Sequence, residues 1–188
     1  MKTMTNLEVN KYVKSHGLML PNRQVFIKKP LYAFKNVDTY GRELDAIAIS
    51  SGAVLEASFR DGRDLTPAIA NLVIPKGAIV NLTDYDIVGK STQISSKKLR
   101  ASMALCWNII RLNDRKETRL ARSRHDIDFE YRSCKNLVSA QEFELLKGYP
   151  RWFNKDYILR PDNLFDMSTG TCASGIHFFV ETIDAINY

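Results

Sequence analysis

Basic side chains crowd the middle of this 188-residue sequence. Arg111, Arg115, Lys116, Arg119, Arg122 and Arg124 are diluted only by Asp114 and Glu117, and Lys97, Lys98 and Arg100 form a smaller group just before them. The planar arginine fork matches phosphate oxygens bidentately, so several forks facing one spot make an anion site. If the stretch from Arg115 to Arg122 is helical, Arg115, Arg119 and Arg122 share a face by i, i+4, i+7 spacing. The competing reading is a solvated charged hairpin, which is what charge runs usually are. Further on, Tyr149, Trp152, Phe153 and Tyr157 interleave with Arg151, Lys155 and Arg160. Aromatic faces stack a base while neighbouring cations hold phosphate, though the same pattern also makes a core flap.

The histidines, His16, His125 and His177, lie far apart. His177 sits between Ile176 and Phe178, so in a strand it points away from both. It is then either a donor or acid–base group in a cleft, or a structural histidine that bonds the backbone. No H-x-E, H-E-x-x-H or Cys/His spacing accompanies the histidines, which argues against a metal site. Nucleophile elbow, phosphate loop and dinucleotide glycine fingerprint are all missing from the sequence. Cys106, Cys134 and Cys172 are widely spaced and odd in number, the pattern of reduced buried thiols. No catalytic residue, metal or cofactor is assigned.

With 45% apolar and 26% charged residues the composition is that of a folded globular chain. A formal charge of +6, from 27 basic and 21 acidic residues, favours anionic partners. No apolar run approaches the roughly 18 residues of a membrane span. The first ten residues lack the apolar core of a signal peptide, so a cytoplasmic protein is expected.

The elements that must hold these side chains are mostly strands. A helix is expected within residues 3–16, capped by Thr5 and stopped by Gly17, followed by a turn over residues 18–22 through Pro21. Residues 25–27 and 31–37 read as strands, then 45–50, 53–59 and 69–74, with Pro75-Lys-Gly77 as a tight turn into a strand over 78–82. Residues 83–98 form a polar loop, and 101–112 suit a buried helix or a buried strand. Residues 128–131 alternate as a strand, and Ser139 caps a segment from Ala140 to Leu146. At the far end Ala173-Ser-Gly175 is a turn and 176–180 a strand. Thr182 is the expected cap of a last short helix that turns Ala185 and Ile186 inward.

Three passages carry a resemblance: Lys98-Leu-Arg100-Ala-Ser102, the run from Ala121 to Arg132, and Cys172-Ala-Ser-Gly-Ile-His177-Phe-Phe with Ala185 and Tyr188 behind it. Together they resemble an uncharacterised viral and phage domain often found at the C-terminal end of pentapeptide-repeat proteins. The likeness spans about residues 69–188 with an aromatic insert at 147–165, and it favours strand for 101–112. It implies a phage or viral origin and a host-cell cytoplasmic setting, and lends no activity. The expected architecture is an α+β, β-rich single domain of antiparallel sheets, sandwich or barrel-like, with short peripheral helices. Residues 1–68 are expected to belong to the same compact unit.

The resulting functional expectation is a non-catalytic protein that binds a small phosphate-bearing signalling nucleotide and sequesters it against host defence. Its candidate ligand residues are Arg100, Arg115, Arg119, Arg122, Arg124, His125, Trp152 and His177. Sequence-tolerant nucleic-acid binding is the alternative, as is an enzyme acting on nucleotides through a histidine acid–base. A homo-oligomer is compatible with either, and no membrane partner is expected.

Overall fold

In a computed structural model the described residues are 3–39, 65–82, 97–123, 130–150, 157–161, 165 and 174–188. The strands expected at 45–50 and 53–59, most of the polar loop at 83–98, and Arg124, His125, Trp152 and Cys172 lie outside them.

The first element is a helix, α1 (Asn6–Lys14), and its start is chemically defined. Thr5 accepts from the Glu8 amide while the Glu8 carboxylate takes the Thr5 amide, a reciprocal capping box. The helix buries Asn6, Val9, Asn10 and Val13, and Leu7 stays exposed.

Strands β1 (Gly17–Leu20) and β2 (Gln24–Ile27) form a hairpin, so residues 18–20 are strand and the turn expected from 18 onward begins at Pro21. Long strands β3 (Leu31–Thr39) and β4 (Thr66–Ile74) pair along their full length. The turn after β4 needs Gly77, whose φ is +87°. It leads to β5 (Ile79–Asn81), and β6 (Leu99–Ala101) and β7 (Ala104–Arg111) follow. The ambiguous stretch at 101–112 is thus strand. After β7 come β8 (Glu117–Thr118), β9 (Leu120–Ser123) and β10 (Glu130–Arg132). A Ser139-capped helix, α2 (Ala140–Gly148), precedes β11 (Ile158–Leu159), β12 (Ile176–Phe178) and α3 (Thr182–Ile186).

These strands build two antiparallel sheets in an α+β, β-rich single domain. One is five-stranded, ordered β1-β2-β5-β6-β12; the other is seven-stranded, ordered β10-β9-β3-β4-β7-β11 with β8 on β7. Each mixes strands from both halves of the chain, and the division at residue 68/69 falls inside β4. Phe179, just past β12, bridges Phe34 of β3 with hydrogen bonds of 2.8 Å in both directions, joining one sheet to the other.

A single core fills the space between the sheets. Val25, Ile27, Val80, Leu99, Ala101, Ile176 and Phe178 come from the smaller sheet, and Leu31, Ala33, Leu72, Ile74, Cys106, Ile109 and Tyr131 from the larger. Burial of each large apolar side chain contributes roughly 1.5–3 kcal/mol. The opposite face of the larger sheet is covered twice. Leu146 of α2 packs on Val73, Leu105, Tyr157 and Ile158, and Ala185 of α3 packs on Ile69 and Phe179. In α3 the cap is Glu181, without a side-chain cap bond, and Thr182 is the first helical residue. Ile186 is exposed, because so short a helix buries one residue per turn and Ala185 takes that place.

Under α2, burial pushes the Cys134 thiol up to about 12, and burial next to Glu142 does the same to the Tyr157 hydroxyl. Groups raised in the folded state stabilise it below their unfolded values, roughly 8.5 and 10, and that contribution is lost as pH climbs toward 12. The denaturant midpoint should therefore hold to about pH 8 and fall steadily above about pH 9, less steeply in Tyr157→Phe. A flat profile to pH 11 contradicts this packing.

Candidate functional site

The side chains that point out of the five-stranded sheet are dictated by those that point in. Val25, Val80, Leu99, Ala101, Ile176 and Phe178 face the core. Period-two alternation then sends Gln24, Asn81, Arg100 and His177 to the outer face. The register lines them up: Gln24 opposite Asn81, Asn81 opposite Arg100, Arg100 opposite His177. The result is a transverse polar row across four strands, with inter-strand steps of about 4.8 Å and a span of roughly 14 Å. Gln24, Asn81 and Arg100 are only 1%, 7% and 3% exposed, and His177 is half-buried.

Arg100 is held on two sides. Its Nη1 donates to the Ser174 carbonyl oxygen at 2.6 Å. Its guanidinium carbon lies 5.5 Å from the centroid of the Phe165 ring, a cation–π distance. Ser174 is presented by the turn into β12, where Gly175 has φ +150°. A Cβ on Gly175 would come within 3.0 Å of the Phe165 ring and 3.4 Å of the Ala101 carbonyl oxygen. Glycine is needed there both for conformation and to let Phe165 reach the arginine. Ser102 closes the neighbouring corner, its hydroxyl accepting from the Ile79 amide at 2.9 Å.

Chemically the row offers a guanidinium, an imidazole and two carboxamides. Fork donors, a ring nitrogen and amide groups suit an anion with further polar edges, such as a phosphate ester. Among the described residues no group of three or more His, Cys, Asp or Glu is placed to hold a metal ion.

Of the candidate residues, the structure brings Arg100 and His177 together as direct cross-strand partners. Arg115, Arg119 and Arg122 do not join them. Residues 115–122 are not helical: Arg115 sits in a turn with φ +59°, Arg119 falls between β8 and β9, and Arg122 lies within β9. Because Ala121 faces the core, Arg122 points out of the larger sheet, on the opposite side of the molecule from Arg100. It lies in register with Asp38 on one side and Glu130 on the other.

Several other basic groups hold the fold together. Arg111 forks onto Asp114 with two 3.2 Å bonds, and Lys135 pairs with Glu117. Lys135 and Asn108 hold the Glu117 carboxyl below its ordinary value by hydrogen bonding. Lys97 bonds Asp184 at 2.8 Å, and Lys98 donates to the Tyr188 hydroxyl at 2.8 Å, fastening α3 to the start of β6. Of the interleaved aromatics, Tyr157 is core, while Tyr149 is 54% exposed.

Gln24, Asn81 and Phe165 were not singled out from the sequence. The available signal was a polar residue at the outward position of an apolar strand, beside Val25 and beside Val80. Only the register reveals that these positions fall in one row with Arg100.

Comparison with family models, with curated proteins and with solved structures finds no match for the chain. No helix among the described residues is long and apolar enough to cross a membrane.

If the Gly175 turn carries the site, Gly175→Ala should destabilise the protein by about 1–3 kcal/mol, read as a lower urea midpoint. An unchanged midpoint would show that the turn does not depend on glycine.

Proposed function

We propose that this protein binds a small phosphate-bearing ligand, a nucleotide, on the outer face of its five-stranded sheet and leaves it chemically unchanged. The observation that carries the reading is the unbroken row Gln24–Asn81–Arg100–His177, with a deeply buried arginine in its middle. Arg100 and His177 supply the anion-directed donors, and the carboxamides of Gln24 and Asn81 supply two-sided groups for a base or sugar edge. A ligand-binding row also accounts for polar side chains kept on a sheet face where apolar ones would cost nothing in desolvation.

The resemblance of the Arg100, Ala121–Arg132 and His177 passages to a phage and viral domain suggests a setting and no activity, and the wider role we propose is our own reading of the polar row in that setting. In it, a phage protein in the host cytoplasm withholds a signalling nucleotide from a defence pathway. Sequestration needs affinity and no turnover.

Isothermal titration against cyclic and linear nucleotides tests the reading. Saturable heat with at least one of them is expected, weakened about tenfold or more in Arg100→Gln at an unchanged circular dichroism spectrum. The nucleotide should be recovered intact by mass spectrometry. No heat from any nucleotide, or equal affinity in Arg100→Gln, rejects the assignment.

A further inference from the structure

A second surface with different chemistry lies at the end of the molecule where three chain segments meet. The turn from β2 to β3 carries Lys28 and Lys29, and the turn from β4 to β5 carries Lys76, all three exposed. The two turns are stitched together: Gly77 donates to the Ile27 carbonyl and Ile27 to the Ala78 carbonyl, each at 2.9 Å. Leu31 stands opposite Ile74 just inside them. The C-terminal end of α2 joins them through the Lys76 amide, which donates to the Lys147 carbonyl at 2.9 Å.

Two tyrosines rise from this junction. Tyr32, at the start of β3, is 57% exposed, and Tyr149, at the cap of α2, is 54% exposed. Each has a cation at hand. Lys76 Nζ stands 5.6 Å from the Tyr149 ring centroid, and Lys147, which pairs with Glu144, lies within electrostatic reach of the Tyr32 hydroxyl. Lys28, Lys29 and Lys76 make no ion pair among the described residues; the Lys28 ammonium stands 4.9 Å from the centroid of the Phe26 ring, and all three side chains remain exposed.

We propose that this end of the molecule binds single-stranded nucleic acid, with Tyr32 and Tyr149 as stacking platforms and Lys28, Lys29 and Lys76 as phosphate contacts. Exposed rings with ammonium groups beside them fit unpaired bases on a backbone, because every base has a π-face and every phosphate a charge. A duplex buries its base faces in its own stack and leaves the tyrosines unused. The surface is separate from the Arg100–His177 row: Tyr32 points out of the larger sheet and Arg100 out of the smaller.

Fluorescence anisotropy of the full chain with labelled oligo-dT and oligo-U of roughly 20 nucleotides tests this. Between about 50 and 200 mM salt, log K should fall with log salt at a slope near −2, from three phosphate contacts at about −0.7 each. Replacing Lys28, Lys29 and Lys76 by Gln should bring that slope close to zero. Tyr149→Ala and Tyr32→Ala should each weaken binding about five- to a hundredfold and leave the slope alone. No binding at low salt overturns the proposal. So does equally tight binding of a duplex of the same length, or an equal loss in Arg119→Gln, whose side chain is exposed elsewhere.

Discussion

A strand can give its apolar residues to a core only by sending the alternate ones to the other side, and that constraint organises this protein. Leu99 and Ala101 on β6, with Ile176 and Phe178 on β12, are all 2% exposed or less in the shared core. Their burial leaves Arg100 and His177 no option but the outer face, and the antiparallel register sets them side by side. A slip of one residue in either strand would bury a guanidinium or an imidazole among valines and phenylalanines. The hydrophobic stabilisation of the sandwich and the assembly of the polar row are thus one event.

Closure of the two sheets depends on contacts distant in sequence. Phe179 joins Phe34 across the sheets, the Met4 amide donates to Glu181 at 2.7 Å, and Lys97 reaches Asp184. These ties gather α1, the start of β6 and α3 around one corner, so the residues flanking β12 anchor the same strand that carries His177. Arginines elsewhere serve the larger sheet. Arg111 clasps Asp114, and Arg122 lies in register between Asp38 and Glu130. Positive charge in the sequence therefore divides into a structural share, Arg100 in the polar row of the smaller sheet, and the exposed lysines of the β2–β3 and β4–β5 turns.

Local features were the legible ones. The Thr5 and Ser139 caps, the Gly77 turn and the strand character of 31–37 and 69–74 are each specified by residues within a few positions of one another. The β-rich, antiparallel class followed from strand spacing. What escaped was whatever depends on pairing. Residues 115–122 carry helical charge spacing, yet the pairing of β8 with β7 and of β9 with β3 makes 117–118 and 120–122 extended. Met19 and Leu18 read as part of a turn because the pairing with Val25 and Phe26 that makes them a strand is not written in their own types. In the candidate site, His177 and Arg100 stood out as charged or titratable residues beside apolar ones. Gln24 and Asn81 did not, because a carboxamide next to a valine is unremarkable until the register puts it against an arginine.

The central claim is that Arg100, buried, and His177, half-buried, act as one anion-binding unit on the side of the five-stranded sheet that faces away from the core. It is tested most directly by nuclear magnetic resonance, following the Arg100 Nε–H and His177 ring signals while inorganic phosphate or a nucleotide is added. The account predicts that both move along a single binding curve while the side-chain signals of Arg115, Arg119 and Arg122 stay still. Movement confined to those three arginines, or two unrelated curves for Arg100 and His177, would contradict it.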